Sequence, residues 1–147
     1  MKVLICDDSA LVRACYVRQI RRLPFVSEVV EAADVAGARA AIDASCPSVV
    51  LLDYFIGLET ALDVLHGIVL PSPCPRLLVF SADPEGIPQD LCRAAGAERI
   101  FDKVDDFPAL LDFLRTVAAQ DETGTSGWIA AHETASLSNS GTDRNNA

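Results

Sequence analysis

Two aspartates, Asp7 and Asp8, stand side by side directly after the apolar run Val3-Leu4-Ile5-Cys6. A third, Asp53, ends the run SVVLLD (48–53), Ser81 ends RLLVFS (76–81), and Lys103 follows ERIF (98–101) and Asp102. Adjacent like charges at the end of a buried segment repel and cost stability unless something positive sits close by. Brought to one place, the three carboxylates make a hard oxygen site suited to Mg²⁺, which keeps several of its own waters. Lys103 adds a second positive charge and Ser81 a hydroxyl donor. A cation, an ammonium and a hydroxyl around one carboxylate can bind a tetrahedral anion. The chemistry implied is phosphoryl transfer to a carboxylate, giving an acyl phosphate. Asp53, at the end of the most strand-like stretch of the chain, is the candidate nucleophile.

The elements that must position these residues are legible from periodicity. VLIC reads as a strand buried on both faces. Ser9 to Leu23 reads as a helix with Leu11, Val12, Cys15, Tyr16, Ile20 and Leu23 inward, Arg13, Arg18, Arg21 and Arg22 outward, and Pro24 closing it. VSEVVEA (26–32) is strand-like. Asp34 can cap a helix running to about Ser45, with Val35, Ala38 and Ile42 inward. After SVVLLD, the stretch YFIGLET reads as a loop leading to a helix near Ala61–Val69, and PSPCP as another loop. RLLVFS is the fourth strand. A helix near Pro88–Ala95 ends at Gly96, a good residue just past a helix end. ERIF is the fifth strand, and Asp105 or Asp106 caps a last helix with Phe107, Leu110, Leu111, Leu114 and Val117 as its stripe. Five β-α units with continuous apolar strands imply an α/β fold, a doubly wound parallel sheet covered on both faces. Such sheets bind ligands beyond the C-terminal strand ends, where strand order reverses. All five site residues sit at those ends.

The net charge of −9 argues against a general affinity for nucleic acid, because phosphate repels an acidic surface. It suits a protein that binds a cation. The 147 residues are enough for one domain with a good core and some excess. No apolar run approaches the roughly 18–20 residues needed to span a bilayer, and MKVLICDD lacks the pattern of a signal peptide. A cytoplasmic protein without membrane contacts is expected. The five cysteines (6, 15, 46, 74 and 92) form no CxxC pair, and only two His are present, so a zinc site is not expected. Four of the thiols lie in apolar or Ala-rich stretches and read as buried and free. Residues 120–147, rich in Ser, Thr, Gly, Asn and Ala, read as a polar, disordered tail following a domain of residues 1–119. His66 reads as a surface or packing residue of the third helix, and His132 falls in the tail.

The pieces ICDDS, VVLLD, VFSA and FDK, in that order and at this spacing on a (βα)₅ pattern, resemble the receiver domain of two-component response regulators. The resemblance covers residues 1 to about 119 and extends to Leu62-Asp63-Val64-Leu65 at the third helix. It implies a flavodoxin-like sheet of order 2-1-3-4-5. It implies Asp53 as phosphoacceptor, Asp8 as direct Mg²⁺ ligand, Asp7 acting largely through water, and the main-chain carbonyl of Phe55 as a further ligand. Ser81 becomes the switch hydroxyl and Lys103 the phosphate-contacting lysine. The implied partners are a histidine kinase or phosphotransfer protein, with the arginine face of the first helix as a docking candidate. A downstream protein target would be met through the fourth helix, fifth strand and fifth helix. The chain departs from the family pattern at Val104 and Gly57, where relatives often carry Pro. It also departs at Ala61, where Gly is frequent, and at Ile100, where an aromatic switch residue is frequent.

Taken singly, each residue has a plainer reading: Asp8 as a helix cap, Asp53 as a solvated strand-end acid, the arginine stripe as a solvated face. Their joint occurrence carries the expectation of a stand-alone response regulator, acting through phosphorylation-dependent contacts or as a relay or phosphate sink, and not as an enzyme on other substrates. Two alternatives stay beside it. One is a pseudo-receiver that binds without being phosphorylated. The other is a haloacid-dehalogenase-like phosphatase, which wants a second Asp two residues after its nucleophile, whereas Asp7 is followed by Asp8-Ser9 and Asp53 by Tyr54-Phe55.

Overall fold

The computed structural model describes residues 1–70 and 73–136, with side chains as far as Thr123. The chain divides into two units, Met1–Asp112 and a second beginning at Phe113. Among the described residues, the first unit holds every strand, and it holds the candidate site.

Its strands are β1 (Lys2–Cys6), β2 (Glu28–Ala32), β3 (Val49–Asp53), the short pair β4 (Phe55–Ile56) and β5 (Glu59–Thr60), β6 (Arg76–Ser81) and β7 (Ala97–Asp102). Its helices are α1 (Ala10–Ile20), α2 (Val35–Ser45), α3 (Ala61–His66) and α4 (Gln89–Ala94), and α5 spans Phe107–Ser136. Five strands form one parallel sheet in the order β2-β1-β3-β6-β7. Counting sheet strands alone, this is 2-1-3-4-5, the doubly wound flavodoxin-like order, which reverses between β1 and β3.

Strand runs are continuous and apolar because the sheet is covered on both faces. Every residue of β3 is buried, and so are Val3 to Cys6 of β1 and Leu77 to Ser81 of β6. Leu4, Val50, Leu52 and Val79 form one core with Val35, Ala38 and Ile42 of α2, Val64 of α3 and Cys92 of α4. Burying each large aliphatic side chain of this kind contributes about 1.5–3 kcal/mol.

Caps fix where the helices begin. Ser9 precedes α1 and its hydroxyl accepts from Val12 N at 3.4 Å. Asp34 caps α2 through Gly37 N at 2.6 Å. At α3, Asp63 Oδ2 accepts from Thr60 N at 2.7 Å and from its hydroxyl at 3.2 Å. Asp106 precedes α5, and its carbonyl accepts from Leu110 N at 2.9 Å.

Several expectations need correction. The buried face of α1 is Tyr16, Val17 and Ile20, whereas Leu11 and Cys15 are exposed, because the stripe aimed at the sheet is rotated by about one position. Arg13 is not on the solvated side with Arg18, Arg21 and Arg22: its Nη1 donates to the carbonyl of Asp7 at 2.6 Å and its Nε to Glu31 at 3.3 Å. Only Cys6 and Cys92 are buried; Cys15, Cys46 and Cys74 are exposed, and all five are free. YFIGLET is not a plain loop but contains the β4–β5 hairpin. The third helix stops at His66, short of Val69. The last helix continues past residue 119 to Ser136, and residues 137–147 of the expected tail lie outside the described residues. Among the described residues no helix is long and apolar enough to cross a membrane.

Candidate functional site

Register carries the site residues to one edge. Cys6 pairs with Leu52, so Asp7 and Asp53, each one residue further on, emerge on neighbouring strands. Asp53 pairs with Phe80, and Ser81 with Asp102. Lys103 therefore starts two strands away from Asp53, on the order of 10 Å at normal strand spacing. Its side chain crosses that gap over the ring of Phe80, whose centroid lies 4.7 Å from Nζ.

The ammonium ends between two acids, 2.8 Å from Asp7 Oδ2 and 2.8 Å from Asp53 Oδ2. This is the cation that adjacent buried carboxylates require. Asp7 is wholly buried, and its other oxygen accepts from Ser9 N at 2.8 Å. Both oxygens of Asp7 are thus taken by protein donors. Asp8 is exposed and presents Oδ2 to Gly57 N at 3.1 Å. One ligand atom from each of Asp7, Asp8 and Asp53 lies within 4.8 Å of the others. Such a group of carboxylate oxygens is a hard donor set that fits a small divalent cation.

Electrostatics follow from burial and pairing. Burial pushes the Asp53 carboxyl up from its ordinary value; hydrogen bonding and attraction from Lys103 pull it back in part, and Asp7 pushes it up again. Burial alone would lower Lys103, but its bonds to Asp53 and Asp7 outweigh that and hold it above the usual lysine value. Lys103 is thereby kept charged. The nearby main-chain N–H of Phe55 adds a last, smaller pull downward on Asp53.

The expected site residues Asp7, Asp8, Asp53, Phe55, Ser81 and Lys103 all lie at or next to this edge, in different settings. Asp7, Asp53 and Lys103 are in direct contact, and Asp8 closes the acid group. Phe55 stands in β4 with its ring exposed, edge-on to Tyr54 at 4.8 Å. Ser81 is buried at the end of β6, and its hydroxyl accepts from Asp83 N at 3.1 Å. Its carbonyl accepts from Lys103 N at 2.9 Å, which ties the lysine's main chain to the same strand end. Sequence reading missed three contributors. Arg13 holds the Asp7 carbonyl, the Gly57 amide holds Asp8, and the Tyr16 hydroxyl donates to the carbonyl of Lys103 at 2.9 Å. The departure from Pro at position 57 was a usable signal, since only a residue with an N–H can donate there.

Comparison with known proteins places the fold. The chain is 33% identical over 86 residues to protein-glutamate methylesterase/protein-glutamine glutaminase 2 of Syntrophus aciditrophicus, a match covering 58% of this chain and 25% of that protein. The chain thus spans about a quarter of the length of the curated relatives it matches. Among solved structures, the response regulator domain of Thermotoga maritima CheB superposes with a TM-score of 0.71 at 23% identity, covering 81% of this chain and 96% of that one. The signal receiver domain of the putative response regulator NarL from Mycobacterium tuberculosis gives 0.67 at 27% identity, covering 80% and 95%. No family model matches the sequence. The fold is that of a response-regulator receiver domain. The fold that the resemblance implied is the one observed.

Proposed function

We propose that this chain is a phosphoacceptor of two-component signalling, with residues 1–119 as the receiver and Asp53 as the residue that takes the phosphoryl group. The observation that carries this reading is the Lys103 ammonium, 2.8 Å from both Asp7 and Asp53. A strand-end carboxylate is left beside a fixed cation and two further acids, which is what an in-line transfer to oxygen needs. Asp7, Asp8 and Asp53, with the Phe55 carbonyl, would hold Mg²⁺. Bound there, the ion supplies charge neutralisation at the phosphoryl oxygens.

The donor is the phosphohistidine of a kinase or phosphotransfer protein. A carboxylate oxygen of Asp53 forms the new O–P bond as the P–N bond of the donor breaks, and the released imidazole takes up a proton from solvent. Lys103 stays charged and balances the equatorial oxygens. Ser81 exchanges its present bond from Asp83 N for one to a phosphoryl oxygen, which draws the β6–α4 loop inward and biases the face of α4, β7 and the start of α5. Output is a protein contact made on that face.

The test is intact mass after incubation with acetyl phosphate and MgCl₂. One added phosphoryl group, lost in Asp53→Asn or on adding EDTA, is the expected result. No gain with acetyl phosphate or with purified kinases would overturn the reading in favour of a pseudo-receiver.

A further inference from the structure

The loop that carries Lys103 is held from several sides by groups outside the acid site. Upstream, Asp102 Oδ1 accepts from Val104 N at 2.7 Å and from Asp105 N at 3.1 Å, while Asp102 N donates to Asp106 Oδ2 at 2.8 Å. The carbonyl of Lys103 itself is taken by Tyr16, whose hydroxyl reaches it from α1 across 87 positions of chain. The Tyr16 ring meets Phe80 edge-on at 5.0 Å and Phe107 at 5.3 Å. Phe80 is the same ring over which the Lys103 ammonium lies.

We propose that Tyr16 is a positioning residue for Lys103: its hydroxyl fixes the lysine's main chain, and its ring braces the Phe80 platform, so that the ammonium spans Asp7 and Asp53. This rests on Asp53 being the phosphoacceptor. Three observations carry it. First, Tyr16 is only 8% exposed, and a buried phenol is costly unless its O–H is bonded. Phe would fill the same ring space, so the hydroxyl matters for the bond it makes. Second, the residue after Lys103 is Val104, not Pro. No ring fixes the peptide that follows the lysine, so its geometry depends on hydrogen bonds, and Tyr16 supplies the one to the Lys103 carbonyl itself. Third, Tyr16 stays a donor. Burial, reinforced by Asp7, Asp102 and Asp53, pushes its phenol up to about 12.

The test compares phosphorylation by acetyl phosphate and MgCl₂, followed by intact mass, in wild type, Tyr16→Phe, Tyr16→Leu and each change combined with Lys103→Ala. Tyr16→Phe should fold, as judged by circular dichroism, and react roughly three- to tenfold more slowly, the range of one net hydrogen bond. Tyr16→Leu, which also removes the ring brace, should be slower still. The Tyr16→Phe effect should vanish when Lys103 is Ala, because the hydroxyl acts through that side chain. An unchanged rate in Tyr16→Phe, the same fractional loss with or without Lys103, or a failure of Tyr16→Phe to fold would each overturn the proposal, the last by making the hydroxyl purely structural. A wild type that gains no phosphoryl group from acetyl phosphate or kinases would instead strike at the role of Asp53.

Discussion

The main-chain N–H of Gly57 donates to Asp8 Oδ2 at 3.1 Å, joining the tip of the β4–β5 hairpin to the exposed acid of the site. Gly57 has φ +65 and opens a two-residue turn between Ile56 and Glu59, the conformation that such tight hairpins need and that glycine adopts without strain. The same residue thus shapes the turn and orients Asp8. A proline there could do neither, since it has no N–H and a φ near −65°.

Gly57→Pro should therefore weaken Mg²⁺ binding several-fold, read by calorimetric titration. Gly57→Ala keeps the donor and meets no neighbouring atom, so it should cost about 1 kcal/mol for the positive φ and leave Mg²⁺ affinity near wild type. Equal affinities in the proline variant and wild type would show that the hairpin bond does not set Asp8.

Lys103→Met should leave Asp7 and Asp53 buried side by side without their cation. Removing one partner of a buried pair costs about 3–5 kcal/mol, so the melting temperature at neutral pH should fall clearly, with millimolar MgCl₂ restoring part of it. The pH dependence has a definite sign. Lys103 is held above its ordinary 10.5, so the stability it contributes is fully present below that value and is lost as pH rises through the folded-state value. Wild type should lose stability on the alkaline side in a way the variant does not. Parallel denaturation curves for the two proteins from neutral to alkaline pH would contradict this.

Ser81→Ala should leave Asp53 open to phosphorylation while weakening the activated state. The Ser81 hydroxyl currently accepts from Asp83 N at 3.1 Å, an exchangeable bond at the start of the β6–α4 loop. The measurement is hydrogen exchange across residues 82–96 with and without the phosphoryl group. Phosphorylation should change protection there in wild type and markedly less in the variant, and equal changes would rule the serine out as the coupling group.

The strand ends were legible because short continuous apolar runs such as Val49–Leu52 and Leu77–Phe80, each preceded closely by a proline, read as strands buried on both faces, and each ends in a polar residue that marks the edge of the sheet. Asp7, Asp53 and Ser81 could be gathered from that; Lys103 could not, because ERIF carries Glu98 and Arg99, and the β-α repeat and the FDK resemblance placed it instead. What stayed hidden were contacts between residues distant in sequence. The bond from Tyr16 to Lys103 and the rotation of α1 that buries Val17 and exposes Leu11 depend on how the helix settles on the sheet, which periodicity resolves only to about one residue. The β4–β5 hairpin escaped because two-residue strands leave no alternation to detect. Val104 and Gly57 were visible as departures from a proline pattern. Their consequence, that both amides are used as donors to Asp102 and Asp8, needed the geometry.

The basic face of α1 leads to a prediction about the donor. Arg13 is committed to the Asp7 carbonyl and Glu31, so it belongs to the site's support. Arg18 and Arg22 are exposed, and Arg21, paired loosely with Glu31 at 3.6 Å, is largely exposed as well. Against a net charge of −9, Arg18 in the last turn of α1 and Arg21 and Arg22 just past it form a positive patch at the end of the helix away from Asp8. Such a patch steers an acidic partner and speeds its arrival, an effect that fades with salt. Arg18→Glu with Arg21→Glu should slow phosphotransfer from a cognate histidine protein by about tenfold or more at low ionic strength, and the gap should narrow as salt is added. The rate with acetyl phosphate should not change, because a small donor needs no docking surface. A variant that accepts phosphate from the protein donor as fast as wild type would remove α1 from the docking surface, and one that slows equally with both donors would place the arginines in support of the site itself.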